Sequence, residues 1–133
     1  MTLSFRLKPD DAPVRGAVLV VDDDRHIREM LAGALGDDGY AVRTAANGAE
    51  ALDLVERAVP SVVLLDLWMP VLDGWGFARA LEERGVAVPL ALMTAATYGR
   101  RAAEDMGAAY LAKPFELDDM LDPVGRLVRQ APA

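Results

Sequence analysis

Five short apolar runs alternate along this chain with longer stretches of helical period. Gly16-Ala17-Val18-Leu19-Val20-Val21, Tyr40-Ala41-Val42-Arg43-Thr44, Val62-Val63-Leu64-Leu65, Pro89-Leu90-Ala91-Leu92-Met93 and Ala109-Tyr110-Leu111-Ala112 read as strands. Continuous apolar runs of this length suit strands buried on both faces. Between them, apolar residues recur three and four positions apart, which predicts helices. The first covers about Arg25 to Asp37, where Ile27, Met30, Leu31, Ala34 and Leu35 recur at helical spacing. Asn47 is a suitable N-cap for the second, whose inner face is Ala51, Leu52, Leu54 and Val55. The third runs from Gly74 to Arg84 and carries Trp75, Phe77, Ala78 and Leu81. A short fourth covers Tyr98 to Met106 and stops at Gly107. The last begins near Glu116; Pro123 lies inside its pattern and is expected to kink or divide it.

Five β–α units in alternation predict a doubly wound α/β fold with a parallel sheet covered on both faces. The flavodoxin-like strand order 2-1-3-4-5 is the expected arrangement. Residues 1–15 read as a flexible N-terminal tail, 16–130 as one domain, and 131–133 as a frayed end.

Composition narrows the function. The 133 residues carry a formal net charge of −7, which disfavours direct nucleic-acid binding. There is no cysteine, so disulfides, thiol catalysis and thiolate metal sites are excluded. No apolar stretch is long enough to span a membrane, and no signal-peptide pattern opens the chain, so a cytoplasmic location is expected. Lysine occurs twice, as Lys8 and Lys113, against twelve arginines. Compositional bias plus chance accounts for this pattern, and so does a need at position 113 for a compact ammonium rather than a planar guanidinium.

Four predicted strands end in polar groups: Asp22-Asp23, Asp66, Thr94 and Lys113. In a parallel sheet these ends share one edge, where open α/β sheets bind ligands. Three converging carboxylates repel unless a cation joins them, and hard oxygen donors without His or Cys suit Mg²⁺. Asp66 is the central carboxylate, able to act as a nucleophile toward phosphorus. Taken singly, each residue also has an ordinary reading. Asp24 caps a helix, Thr94 caps another, and Lys113-Pro114 makes a turn. His26 is expected at the surface, Trp75 and Phe77 in packing, and Arg100-Arg101 on a solvated face. The order of all four strand ends is what favours a site.

The segments VLVVDDD, LLDLWMPVLDG, MTA and YLAKPF, in that order, resemble the receiver domain of two-component response regulators over about residues 16–129. The resemblance implies that Asp66 takes a phosphoryl group from a phosphohistidine on a histidine kinase or histidine phosphotransfer protein. It implies Mg²⁺ held by Asp23, Asp66 and the Trp68 backbone carbonyl, with Asp22 helping to hold the metal and its water. Lys113 would pair with the phosphate, and the Lys113–Pro114 peptide would be cis. Thr94 and Tyr110 would form the switch pair. A downstream protein partner would read the face made by the fourth helix, fifth strand and fifth helix. Such a domain is a phosphoacceptor that catalyses its own phosphorylation and dephosphorylation rather than an enzyme acting on other substrates.

The sequence departs from the family pattern in places. The Thr94 to Lys113 segment is short, so the fourth helix is expected to be short, displaced or mobile. Pro123 alters the usual partner face. Trp68 and Ala96 fill positions expected to tune loss of the phosphate. With no output segment recognisable after Gln130, a stand-alone receiver is the expectation. One alternative is a degenerate receiver that binds partners without phosphorylation. The other is an aspartate-nucleophile phosphatase, which would usually carry a second Asp where Trp68 stands.

Overall fold

The computed structural model describes residues 14–131. Its elements alternate as expected: β1 (Ala17–Val21), α1 (Arg25–Asp37), β2 (Ala41–Ala45), α2 (Gly48–Arg57), β3 (Val62–Asp66), α3 (Gly74–Glu83), β4 (Leu90–Thr94), α4 (Gly99–Met106), β5 (Ala109–Ala112) and α5 (Leu117–Gln130). The five strands are parallel, in the order β2-β1-β3-β4-β5. No helix among the described residues is long and apolar enough to cross a membrane.

Successive strand residues face opposite sides of the sheet, so each strand feeds two cores. Leu19, Val21, Val63, Leu65 and Leu92 pack with Ala51, Leu52, Val55, Phe77, Leu81, Ala102 and Ala103 beneath α2, α3 and α4. Val18, Val20, Val62, Leu64, Ala91 and Met93 pack with Leu31, Leu35, Met120 and Val124 beneath α1 and α5. Every residue of β3 and β4 is buried. Burying each large aliphatic side chain contributes about 1.5–3 kcal/mol, which is why the central strands define the frame.

Short polar side chains start three of the helices. Asp24 accepts from the His26 and Ile27 amides at 2.9 and 3.3 Å, Asn47 from the Glu50 amide at 2.9 Å, and Asp73 from the Gly76 amide at 2.8 Å. Each satisfies amides that the helix itself leaves open.

Thr94 closes β4, as its strand-end reading expects, and pairs with Ala112. Some boundaries differ from the sequence expectation. Arg15, expected at the end of a flexible tail, is anchored: its amide donates to the Gly39 carbonyl at 2.9 Å and its guanidinium meets Asp38 at 2.6 Å. The rest of the expected tail through residue 13, and residues 132–133, lie outside the described residues. Pro123 does not divide the last helix, which runs unbroken from Leu117 to Gln130. Met120 and Val124 flank it and are fully buried, so sheet packing holds the turn that lacks one hydrogen bond. The short α4 is seated on the sheet, with Ala102 and Ala103 buried. Between α3 and α4 lies a groove of about 580 Å³, bordered by Trp75, Glu82, Asp105 and Met106.

Candidate functional site

The carboxyl ends of β1, β3, β4 and β5 bring their polar residues together. One carboxylate oxygen from each of Asp22, Asp23 and Asp66 lies within 4.8 Å of the others. Asp22 and Asp66 are buried, while Asp23 is exposed. Asp22 is held firmly. One oxygen accepts the Asp24 amide at 2.9 Å, and the other accepts the Lys113 ammonium at 2.8 Å. Its backbone carbonyl accepts the Arg28 guanidinium at 2.8 Å.

Asp66 closes β3. Its Oδ1 accepts the Leu67 amide at 3.0 Å and lies 3.4 Å from the Lys113 ammonium. Among the described residues no hydrogen bond reaches its Oδ2. Burial, then the charge of Asp22, pushes the Asp66 carboxyl up to about 6, against the smaller downward pull of Lys113 and the Leu67 amide. Burial also works against the Lys113 charge, but its bonds and attraction to Asp22 and Asp66 win, so its pKa rises. The ammonium thus stays charged at neutral pH.

The loop after β3 is tightly built. The Gly74 amide donates to the Leu67 carbonyl at 2.8 Å, and a Cβ on Gly74 would come 2.7 Å from the Asp66 carbonyl. Only glycine allows that approach. The Leu72 carbonyl accepts the Gly48 amide at 2.9 Å, tying this loop to α2. The Leu72 amide donates to the Pro70 carbonyl at 2.8 Å, which closes a γ-turn around Val71 at φ 71°. A β-branched residue is strained there.

Thr94 is buried at the end of β4, and its hydroxyl accepts the Ala96 amide at 3.1 Å. Tyr110 lies on β5 opposite Leu92, half-buried, with the Arg100 guanidinium 5.2 Å above its ring. Gly99 sits between these two residues. A Cβ there would lie 2.5 Å from Thr94 Cγ2 and 2.7 Å from Tyr110 Cε1. Just before it, the Tyr98 hydroxyl accepts the Trp68 indole N–H at 2.8 Å. Trp75 meets Trp68 edge-on at 5.0 Å and stacks on Tyr98 at 6.1 Å.

The structure therefore groups Asp22, Asp23, Asp66 and Lys113, and places Thr94 on the strand beside Asp66. Tyr110 adjoins Gly99, which in turn adjoins Thr94. The Lys113–Pro114 peptide is cis. His26 is exposed and Phe77 is fully buried, as expected; Trp75 joins the aromatic group beside Trp68. Sequence reading missed Tyr98 and Gly99. Their partners lie far along the chain, and a helix start was the only local signal.

The model of the response regulator receiver domain matches residues 18–124 of the chain. The chain belongs to that family. Response regulator MprA of Mycobacterium sp. strain KMS is 44% identical over 121 residues, covering 89% of this chain and 52% of that protein. The chain thus spans about half the length of the curated relatives it matches. Among solved structures, the Vibrio cholerae chemotaxis protein CheY4 superposes with a TM-score of 0.77 at 33% identity, over 87% of this chain and 99% of that one. The receiver domain of the Francisella response regulator 1452 gives 0.81 at 29% identity, over 86% and 98%.

Receiver domains typically bind Mg²⁺, and the donor set of this receiver suits it. Three carboxylates face one ammonium, which leaves two negative charges uncompensated when all are ionised. The donors are hard oxygens, and Asp23 is open to solvent, as an ion that keeps several waters requires. Asp22 already accepts the Asp24 amide and the Lys113 ammonium, one on each carboxylate oxygen.

Proposed function

We propose that this receiver accepts a phosphoryl group on Asp66 from a phosphohistidine of a histidine kinase or histidine phosphotransfer protein. The observation that carries this reading is Asp66 itself. It is a buried strand-end carboxylate with one oxygen committed and the other free, beside a lysine anchored on a different aspartate. Oδ2 of Asp66 attacks phosphorus as the P–N bond to the imidazole breaks. The bonding pair returns to the imidazole nitrogen, which then takes a proton. Such transfer depends mainly on positioning and on balancing charge at the phosphoryl oxygens.

Each neighbour has a part in this. Lys113 supplies a compact positive charge that reorients from Asp66 toward the phosphoryl oxygens while Asp22 keeps it in place. Asp23, Asp66 and the Trp68 carbonyl would hold Mg²⁺, with Asp22 behind them; when bound, the ion offsets charge on the transferring group. Thr94 donates its hydroxyl to a phosphoryl oxygen, and Tyr110 follows as its switch partner. Output passes by protein contact at the face of α4, β5 and α5.

The test is mass spectrometry after incubation with acetyl phosphate and Mg²⁺. A single phosphoryl adduct mapping to Asp66 is expected, and Asp66→Asn should remove it. A stable adduct on Asp66→Asn formed at the wild-type rate would refute the assignment. Transfer from a phosphorylated histidine kinase then tests the donor class.

A further inference from the structure

We infer that Tyr98 is a positioning residue, and that the Trp68–Tyr98 hydrogen bond is a latch that opposes the response to phosphorylation. This rests on the phosphoacceptor reading and goes beyond it. Three observations meet on the first turn of α4. The Tyr98 hydroxyl accepts the Trp68 indole N–H at 2.8 Å, which joins the loop after β4 to the loop after β3. Gly99, the next residue, abuts both Thr94 and Tyr110, so neither side chain can shift without that turn feeling it. Arg100 then covers the Tyr110 ring. Elsewhere a groove of about 580 Å³ separates α3 from α4. At the opposite end of α4, Tyr98 bonds to Trp68 and stacks on Trp75, tying this first turn to the loop after β3 and to α3.

The energetics set the direction. A phosphoryl group biases two arrangements only through contacts that differ between them. Drawing Thr94 toward the end of β3 moves its methyl away from Gly99 and frees space beside Tyr110. The turn that follows carries Tyr98 with it and stretches the bond to Trp68. The latch thus stabilises the arrangement that phosphorylation must leave. Its removal should favour the phosphorylated form.

Beryllofluoride, a phosphoryl mimic, tests this by calorimetric titration in saturating Mg²⁺. Tyr98→Phe keeps the ring and its stack but deletes the acceptor. Trp68→Phe deletes the donor and keeps the backbone carbonyl. Each should half-saturate at roughly three- to tenfold lower beryllofluoride than wild type, the range one net hydrogen bond supplies. The double variant should be no tighter than either single variant, because both remove the same bond. In the unmodified protein, Tyr98→Phe should also lower hydrogen-exchange protection of residues 102–106. Unchanged or weaker beryllofluoride binding by Tyr98→Phe, or full additivity in the double variant, would overturn the latch. Wild-type binding with an unchanged Tyr98→Phe refutes the latch alone. Absence of wild-type binding refutes the phosphoacceptor reading as well.

Discussion

Lys113 and Asp22 are 91 positions apart in the chain and 2.8 Å apart in space. Asp66 receives the same ammonium at 3.4 Å, so its charge is less well matched. The lysine is parked on one aspartate and only leans toward the other. That leaves Asp66 as the ionised group the fold tolerates least, and the pKa directions agree.

A pH dependence follows. The Asp66 carboxyl lies near 6 when folded and at 3.8 in its reference state. Between those values the folded chain binds more protons than the unfolded one, so stability falls as pH rises. Without Mg²⁺, denaturation should show a decline between about pH 4 and 7, of about 3 kcal/mol at most. Asp66→Asn should flatten it. A flat wild-type profile would contradict the burial argument.

Removing Lys113 should destabilise. Lys113→Ala leaves Asp22 and Asp66 facing each other without a cation, at a cost of about 2–3 kcal/mol at pH 7. Urea denaturation reads this. Lys113→Arg should not restore phosphorylation, because a planar fork does not replace a compact ammonium between two carboxylates.

Asp23 should act oppositely. It is exposed and adds a third like charge to the cluster. Asp23→Asn should raise the melting temperature of the metal-free protein. It should also abolish most of the stabilisation that Mg²⁺ gives the wild type. Differential scanning fluorimetry with and without Mg²⁺ measures both.

Val71 offers a stabilising change away from the carboxylates. It is 81% exposed and sits at φ 71°, so its side chain contributes little packing and meets backbone strain. Val71→Gly should stabilise by about 1 kcal/mol net of the entropy glycine adds to the unfolded chain, or about 4 °C. A lowered melting temperature would show that this turn is relaxed.

The frame was legible because parallel strands buried on both faces appear as unbroken apolar runs. Val62–Leu65 and Leu90–Met93 are such runs, and both proved fully buried. The strand-end aspartates and Lys113 were legible because their order along the chain becomes their order along one edge. The division offered at Pro123 did not occur, since a local rule about hydrogen bonding yielded to the burial of Met120 and Val124. The parking of Lys113 on Asp22 was hidden, because the sequence shows which groups meet but not which pair is shorter. The Trp68–Tyr98 bond was hidden as well. It joins two loops thirty positions apart, and neither residue breaks any local pattern.

The loop after β3 also decides where movement goes. Leu72 is bonded to Gly48, Gly74 is pressed on Asp66, and Leu67 is bonded to Gly74, so this side of the cleft works as the fixed jaw of a vise. On the latch proposed above, the loop after β4 would be the sliding jaw, held by the Trp68–Tyr98 bond. Whatever closes on Asp66 finds one wall that does not give. The recoil would then leave along the first turn of α4.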